Sequence, residues 1–520
     1  MAMSKPTSSV EQLFTKFCNS ISFPEIQQLF DEICTQLGVD PNQQDGFYPA
    51  IKQSLKHWKA TSLFQLLDDR SSLPEYEGGS VCAGRRVLVV GAGPVGLRGA
   101  IELAMLGAKV DLVEKRTEFT RNNCLHLWPF CITDLRNLGA KVLYSRFAYG
   151  TLEHISTKFL QSILLKISLL LGVKVHRGVS FDEIVEPTET GAGWRVTTTP
   201  QIASLSSYDF DAIIAADGNK RTLPGFRSRV FRPKLALGIT INFVNNNTAK
   251  DSAVKELGGL SVMQCSDTFA TLTTDHGIEL ENIIYFKNET HYFVMTAKKA
   301  SLINKGVIKK DSKDVQELLK RSNVCNEALA DFADEAATSC SGLQNPEIVR
   351  NHRGEKDVAL FDFTTMHESE NASRIVERRG KKLLLCVAGD TLLQPFWPSG
   401  TGCNRGFLGV FDAAWMFRGL CSEGADPIKL LEERESILTI FPQIFAHTLQ
   451  KDIAHYSINP KTRYRGLNLI KPRMDVTQLY DSDSHPATAS MPMVGRVGFE
   501  EIGVSHDSSD SEEERLSTEN

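Results

Sequence analysis

The chain has 520 residues, and at about 150 per domain this allows roughly three compact units around a large buried core. With 42% hydrophobic and 23% charged residues it is neither a collagen, a disulfide-knotted mini-protein nor a wholly disordered chain. The net charge is −5, yet residues 476–520 carry ten acidic and two basic side chains, so the 475 residues before them hold +3.

Residues 8–80 read as a helical region. Val10, Leu13, Phe14 and Phe17 fall at helical spacing, as do Ile26, Leu29, Phe30 and Ile33, with breaks at Asp40-Pro-Asn42 and Gly46–Pro49. From residue 81 to about 230, apolar runs alternate with helical patterns, the rhythm of an α/β layer. Its strongest signal is Arg86–Leu97, an apolar strand running into Gly91, Gly93 and Gly96 in GxGxxG spacing and then into a helix. Gly91 permits the tight turn, Gly93 leaves room for a pyrophosphate, and Gly96 lets helix pack on strand. The next strand, Lys109–Glu114, ends in a carboxylate suited to a ribose hydroxyl. Arg121 can neutralise a pyrophosphate and Asn123 can hydrogen-bond a carbonyl-rich ring, whereas His126 reads more naturally as structural.

Two later strands end in acidic turns. Ile213–Gly218, followed by Arg221, closes in Asp-Gly, and Leu383–Asp390 closes in Gly-Asp. A terminal Asp on a returning strand suits the ribityl hydroxyls of FAD. With the glycine triplet, these turns resemble the flavin-dependent aromatic-hydroxylase class, in which NAD(P)H has no fold of its own. Between the two strands, residues 231–375 form a sheet-rich segment. Its expected strands are Leu235–Phe243, Ile283–Lys287 and His291–Ala297, followed by a helical pair at about 314–337. Residues 376–475 bring the return strand Lys382–Ala388, the loop Gln394–Gly402 and a helix over about 403–420. In that loop, prolines flank Phe396-Trp397, so Trp397 could lie against the flavin ring as a catalytic-site residue. Residues 476–520, rich in Ser and acidic groups, are expected to be a disordered tail.

The fold expected is therefore α/β: a Rossmann-like FAD-binding domain of the aromatic-hydroxylase type, a smaller β-sheet-rich domain, N-terminal helices and a disordered acidic tail. No uncharged apolar run approaches the ~18 residues of a membrane span. The start of the chain lacks signal-peptide order, and the 11 cysteines include no CxxC pair, which together point to the cytoplasm.

Several longer stretches are more specific. Asn122–Phe130, Asp134–Lys141, Glu281–Lys287, Thr290–Lys299 and Pro395–Pro398 resemble the monooxygenase domain of the MICAL family over roughly residues 10–475. The resemblance implies FAD contacts at Val95, Glu114, Lys115, Arg116, Arg121, Asn122, Asn123, Phe181, Tyr292 and Asp390, beside the glycine loop. It further implies oxidation of F-actin methionines with NADPH and dioxygen, by a cytoskeleton-associated monomer with no nucleic-acid partner. Val95, Thr157 and Cys403-Asn404 depart from the usual family residues, and the calponin-homology and LIM modules usual there have no counterpart in the sequence. Basic clusters at Arg227–Lys234, Lys298-Lys299 and Arg378–Lys382 are candidates for contact with an acidic protein substrate. A hydroxylase of a small aromatic and a non-catalytic Rab-escort-type module are the competing readings.

Overall fold

A computed structural model describes residues 9–145, 147, 154–188, 192–231, 235–261, 266–395 and 400–484. Its largest sheet has seven strands in the order Tyr480–Ser482, Ser373–Arg378, Lys381–Val387, Ala212–Ala215, Arg86–Val90, Lys109–Glu114, Lys174–Arg177. Ser373–Arg378 and Lys381–Val387 form an antiparallel hairpin, and the other neighbours run parallel. Parallel strands covered on both faces need apolar side chains on both, and Val87, Leu88, Val89, Ile213 and Ile214 are all buried. Helices Pro94–Met105, Thr157–Leu170 and Gly402–Cys421 belong to the same core.

The N-terminal helices Ser9–Asn19, Phe23–Leu37, Phe47–Ser54 and Trp58–Ser71 join that core through Phe14, Phe17, Phe30, Leu63 and Phe64. A buried ionic cluster adds to the joint. Arg70 Nη2 donates to Glu102 at 2.8 Å, Arg98 Nε donates to Asp134 at 2.7 Å, and Tyr76 also donates to Glu102. Burial alone pushes the Glu102 carboxyl up, but Arg70 and Arg98 outweigh it and hold the group below its ordinary range.

The second sheet is antiparallel, in the order Leu257–Ser261, Leu280–Lys287, Thr290–Ala297, Leu237–Val244, Val358–Asp362. Alternation along its strands divides the faces. Ile239, Ile241, Phe293 and Met295 pack in a core with Leu329 and Phe332 of helix Asn326–Ser341, whereas Tyr292 and Val294 pack on the opposite face with Phe363. A small sheet, Leu393–Gln394, Met366–Ser369 and Ser228–Phe231, ties two segments that lie between the larger sheets in sequence to the stretch just after Asp390.

Two expectations need correction. The helical pair is a short helix, Val315–Leu319, and a longer one that runs on to Ser341, because Ala333, Ala336 and Ala337 continue its buried stripe. The acidic tail does not begin at residue 476. Tyr480–Ser482 adds a parallel strand beside Ile375–Glu377, with Val476 and Leu479 buried beneath it. Two apolar anchors in a polar segment carry no periodicity, which hid this strand. Residues 485–520 lie outside the described structure.

Candidate active site

The glycine loop sits where strand Arg86–Val90 hands over to helix Pro94–Met105. Gly91 has φ +100°, and a Cβ there would meet the Ala216 carbonyl oxygen at 2.7 Å, so glycine is required. A Cβ on Gly96 would lie 1.9 Å from the Gly91 oxygen, which fixes how closely helix and strand approach. A Cβ on Gly93 would point into open space. Gly93 is also the N-cap of a helix with Pro94 in its first turn and no side-chain cap, so the leading N–H groups are available to an anion.

Glu114 ends the neighbouring strand and is nearly buried. One carboxylate oxygen accepts from Ala92 N at 2.8 Å, the other from Arg116 N at 2.9 Å. The carboxylate thereby braces the glycine loop, and each oxygen keeps a lone pair for a sugar hydroxyl. Lys115 and Arg116 follow it, half-buried. Phe181 is buried in strand Ser180–Val185, whose lead-in is held to this corner by Val179 N donating to Glu114 O at 2.9 Å.

Arg121, Asn122 and Asn123 are positioned from two sides. The start of helix Thr157–Leu170 donates to their carbonyls: Lys158 N to Arg121 O at 3.1 Å, Thr157 N to Asn123 O at 2.8 Å and Thr157 Oγ1 to the same oxygen at 2.9 Å. The antiparallel sheet holds their side chains. Asn122 Nδ2 donates to Asp357 at 3.0 Å, and Asn242 Nδ2 donates to the same Asp357 oxygen at 2.9 Å. Asn123 Nδ2 donates to the Tyr292 hydroxyl at 3.2 Å. Burial first, then the nearby Cys124, pushes the Tyr292 phenol well above its ordinary range, so it stays a neutral hydroxyl. Sequence reading missed Asp357 and Asn242, because a single polar residue within or just before a strand carries no pattern.

The two acidic turns meet. Asp217 accepts from Thr222 N at 2.9 Å with one oxygen and from Thr391 Oγ1 at 3.0 Å with the other, locking one turn to the other. Asp390 is exposed to solvent at the end of strand Lys381–Val387 and the turn that follows it, the position of a crevice wall. The protein crowded around it raises its carboxyl, and Arg121 and Arg221 pull it partly back. Arg221 adopts φ +48° and shares a 3.1 Å hydrogen bond with His367 Nδ1, while its Nε and Nη2 are buried without a partner. Gln394 Oε1 is likewise buried and unpartnered. Trp397 lies outside the described residues. Trp128 is buried, as the ordinary fate of a large aromatic would have it.

These features fit a flavin dinucleotide. There is an uncapped helix start over open space for the pyrophosphate, acidic acceptors for two sugars, and buried donors and an acceptor left unsatisfied near the acidic turns. Residues 85–124 match the family model "FAD binding domain", and residues 235–362 match "Mical, Rossman domain". The chain is 48% identical over 488 residues to the F-actin monooxygenase mical1 of Danio rerio, covering 92% of this chain and 40% of that protein. It is 48% identical over 459 residues to the F-actin monooxygenase Mical of Drosophila melanogaster, covering 88% and 10%. To the protein-methionine sulfoxide oxidase mical3a of Danio rerio it is 46% identical over 478 residues, covering 91% and 24%. The chain belongs to the MICAL family. It spans less than half the length of these relatives. The expected α/β FAD-binding fold with additional antiparallel sheet is present.

The departures from the usual MICAL residues are accommodated locally. The Val95 side chain packs between Gly389 and Gly406, where added Cβ atoms would meet it at 3.2 and 2.3 Å, so its backbone is what remains for the cofactor. Thr157 adds a hydroxyl bond to the Asn123 carbonyl. Asn404, fully buried, accepts from Trp128 N at 2.7 Å and donates to His126 O at 2.9 Å and Gly400 O at 3.2 Å. It staples the start of helix Gly402–Cys421 to the Cys124–Trp128 segment, a role that its sequence position does not reveal. No helix among the described residues is long and apolar enough to cross a membrane.

Proposed function

We propose that this chain is an NADPH-dependent FAD monooxygenase that oxidises methionine side chains of F-actin to the sulfoxide, working as a cytoplasmic, cytoskeleton-associated monomer. The observation that carries the reading is the match, over 91–92% of this chain, to MICAL relatives named as an F-actin monooxygenase and as a protein-methionine sulfoxide oxidase. Bound FAD supplies the redox and oxygen-transfer chemistry. The protein's own part is to hold it. The glycine loop and Arg121 meet the pyrophosphate, Glu114 and Phe181 the adenosine half, and Asp390 the ribityl chain. The Asn123–Tyr292 pair lines the wall toward the antiparallel sheet, where a neutral phenol and an amide can orient a ring carbonyl without adding charge.

A thioether loses no proton when it gains oxygen, so the reaction asks for no general base on the substrate. The sulfoxide turns an apolar contact side chain polar, which is how such an enzyme weakens a filament. The test is NADPH consumption by the flavin-loaded protein with and without F-actin, followed by mass spectrometry of actin. The expected result is faster consumption with F-actin and a gain of one oxygen on specific methionines. Flavin-loaded protein that leaves actin methionines unchanged overturns the reading.

A further inference from the structure

Several buried arginines of this protein are neutralised on the spot. Arg70 and Arg98 meet Glu102 and Asp134, and Arg463 meets Asp412. Arg405 is not. It stands in the first turn of helix Gly402–Cys421 with only 6% of its surface exposed, and its Nε donates to Ile444 O at 2.9 Å. No carboxylate pairs with it among the described residues, and burial pulls its pKa down to about 10 with nothing to oppose it. Its Nη1 and Nη2 have no acceptor among the described residues, yet neither is sealed from solvent as the Arg434 nitrogens are. A guanidinium this deep is costly until an anion completes it.

What lies over it is aromatic. The guanidinium carbon is 5.0 Å from the Phe445 ring centroid, and His447 stacks beside Phe445 with centroids 5.8 Å apart and planes 9° from parallel. A tight turn fixes this pair: Phe445 N donates to Thr448 Oγ1 at 3.0 Å, and Thr448 N donates to Phe445 O at 3.0 Å. Both rings are exposed, Phe445 by 40%, so an apolar platform is held in water beside a cation that lacks its anion. The place is next to the crevice. Gly402 lies three residues earlier on the same helix face, and a Cβ there would stand 3.2 Å from Pro395 and 3.6 Å from Asp390 Oδ1.

We propose that Arg405, Phe445 and His447 form the subsite that recognises the adenosine 2′-phosphate end of NADPH. The guanidinium fork takes the phosphate through its two free nitrogens, and the ring pair takes the adenine. The inference rests on the proposed use of NADPH and gives it a residue. NADH lacks that phosphate and leaves the buried guanidinium unpaired, so Arg405 sets which reductant is preferred.

The test uses the flavin-loaded full chain and two probes, 2′,5′-ADP and 5′-AMP, with binding followed by calorimetry. Wild type should bind 2′,5′-ADP about ten- to a hundred-fold more tightly than 5′-AMP, the worth of a charged hydrogen bond. Arg405→Gln should remove that margin, and Arg405→Lys, which keeps the charge but not the fork, should retain part of it. Phe445→Ala, at an exposed ring where folding is not at risk, should weaken both probes alike. In turnover, Arg405→Gln should raise KM for NADPH and leave KM for NADH as it was. Equal binding of the two probes by wild type, a margin that survives Arg405→Gln, or inorganic phosphate binding as tightly as 2′,5′-ADP each overturns the proposal. Should Arg405→Gln fail to load flavin, Phe445→Ala decides, and unchanged affinity for both probes overturns it. None of these measurements involves actin, so a failure here and a failure of the actin reading are told apart.

Discussion

Asp390 is exposed to solvent, yet the protein crowded around it raises its carboxyl against the pull of Arg121 and Arg221, so its ionisation costs the cofactor-free fold a modest, solvent-screened amount. Its folded pKa is raised, so its contribution to stability is present at low pH and is lost as pH rises through the folded value. Asp390→Asn should therefore melt higher than wild type without FAD at pH 7, and the gap should close toward pH ~4, where the unfolded carboxyl also protonates. The same change should weaken FAD binding roughly ten- to a hundred-fold, the loss of a charged hydrogen bond worth about 1.5–3 kcal/mol. Melting curves across pH, with and without FAD, check both signs. Glu114 should behave the other way. Glu114→Ala strips partners from Ala92 N and Arg116 N, each amide costing about 1–3 kcal/mol where it is left dry, so the cofactor-free protein should melt lower. Thermal unfolding of that variant without FAD, compared with wild type, separates the bracing role from sugar binding.

At the scale of elements, the edge strand Tyr480–Ser482 makes truncation informative. Ending the chain at residue 484 should leave melting nearly unchanged. Ending it at 475 removes the buried Val476 and Leu479, unpairs Ile375–Glu377 and frees Arg378 from Asp481 at 2.9 Å. Burying an apolar side chain of that size is worth about 1.5–3 kcal/mol, so the melting temperature should drop by several degrees, as calorimetry of the two truncations would show. This edge also shows where sequence reading stops. The strand–glycine loop–helix–strand unit through Glu114 was legible because periodicity, glycine spacing and a terminal carboxylate agree over almost 30 residues. The same holds for the acidic turns at Asp217 and Asp390. A three-residue strand held by two anchors has no such redundancy. Neither have Asn404, Asp357 and Asn242, whose partners lie far away in sequence, so their roles appear only once the sheets are assembled.

For the molecule as a whole, charge placement narrows the expected protein-binding surface. Of the three basic clusters, Lys298 and Lys299 are paired with Glu279 at 2.8 Å and Asp311 at 2.6 Å, and Arg378 is paired with Asp481. Arg229 is also paired, donating to Glu370 at 3.2 Å, but its side chain is 74% exposed, on an edge strand beside the exposed Val230 and Phe231. If the proposed substrate is correct, Arg229→Glu should sharply reduce F-actin stimulation of NADPH consumption, whereas Lys298→Glu with Lys299→Glu should alter it little. Stimulation should also fall as salt rises, since charges are screened beyond about 8 Å at physiological ionic strength. Titrating F-actin against each variant at two salt concentrations decides the matter. The seating of Val95 between Gly389 and Gly406 bears on how the protein is made. A ribosome delivers the glycine loop early, but the two glycines that receive Val95, and the hairpin Ser373–Val387 that covers strand Ala212–Ala215, emerge some 300 residues later. Until then the cradle has one wall and the central sheet an open edge, a template for pairing with other nascent chains. Flavin is thus a ligand of the finished chain, and its supply governs how much completed protein is loaded, not how the early half folds.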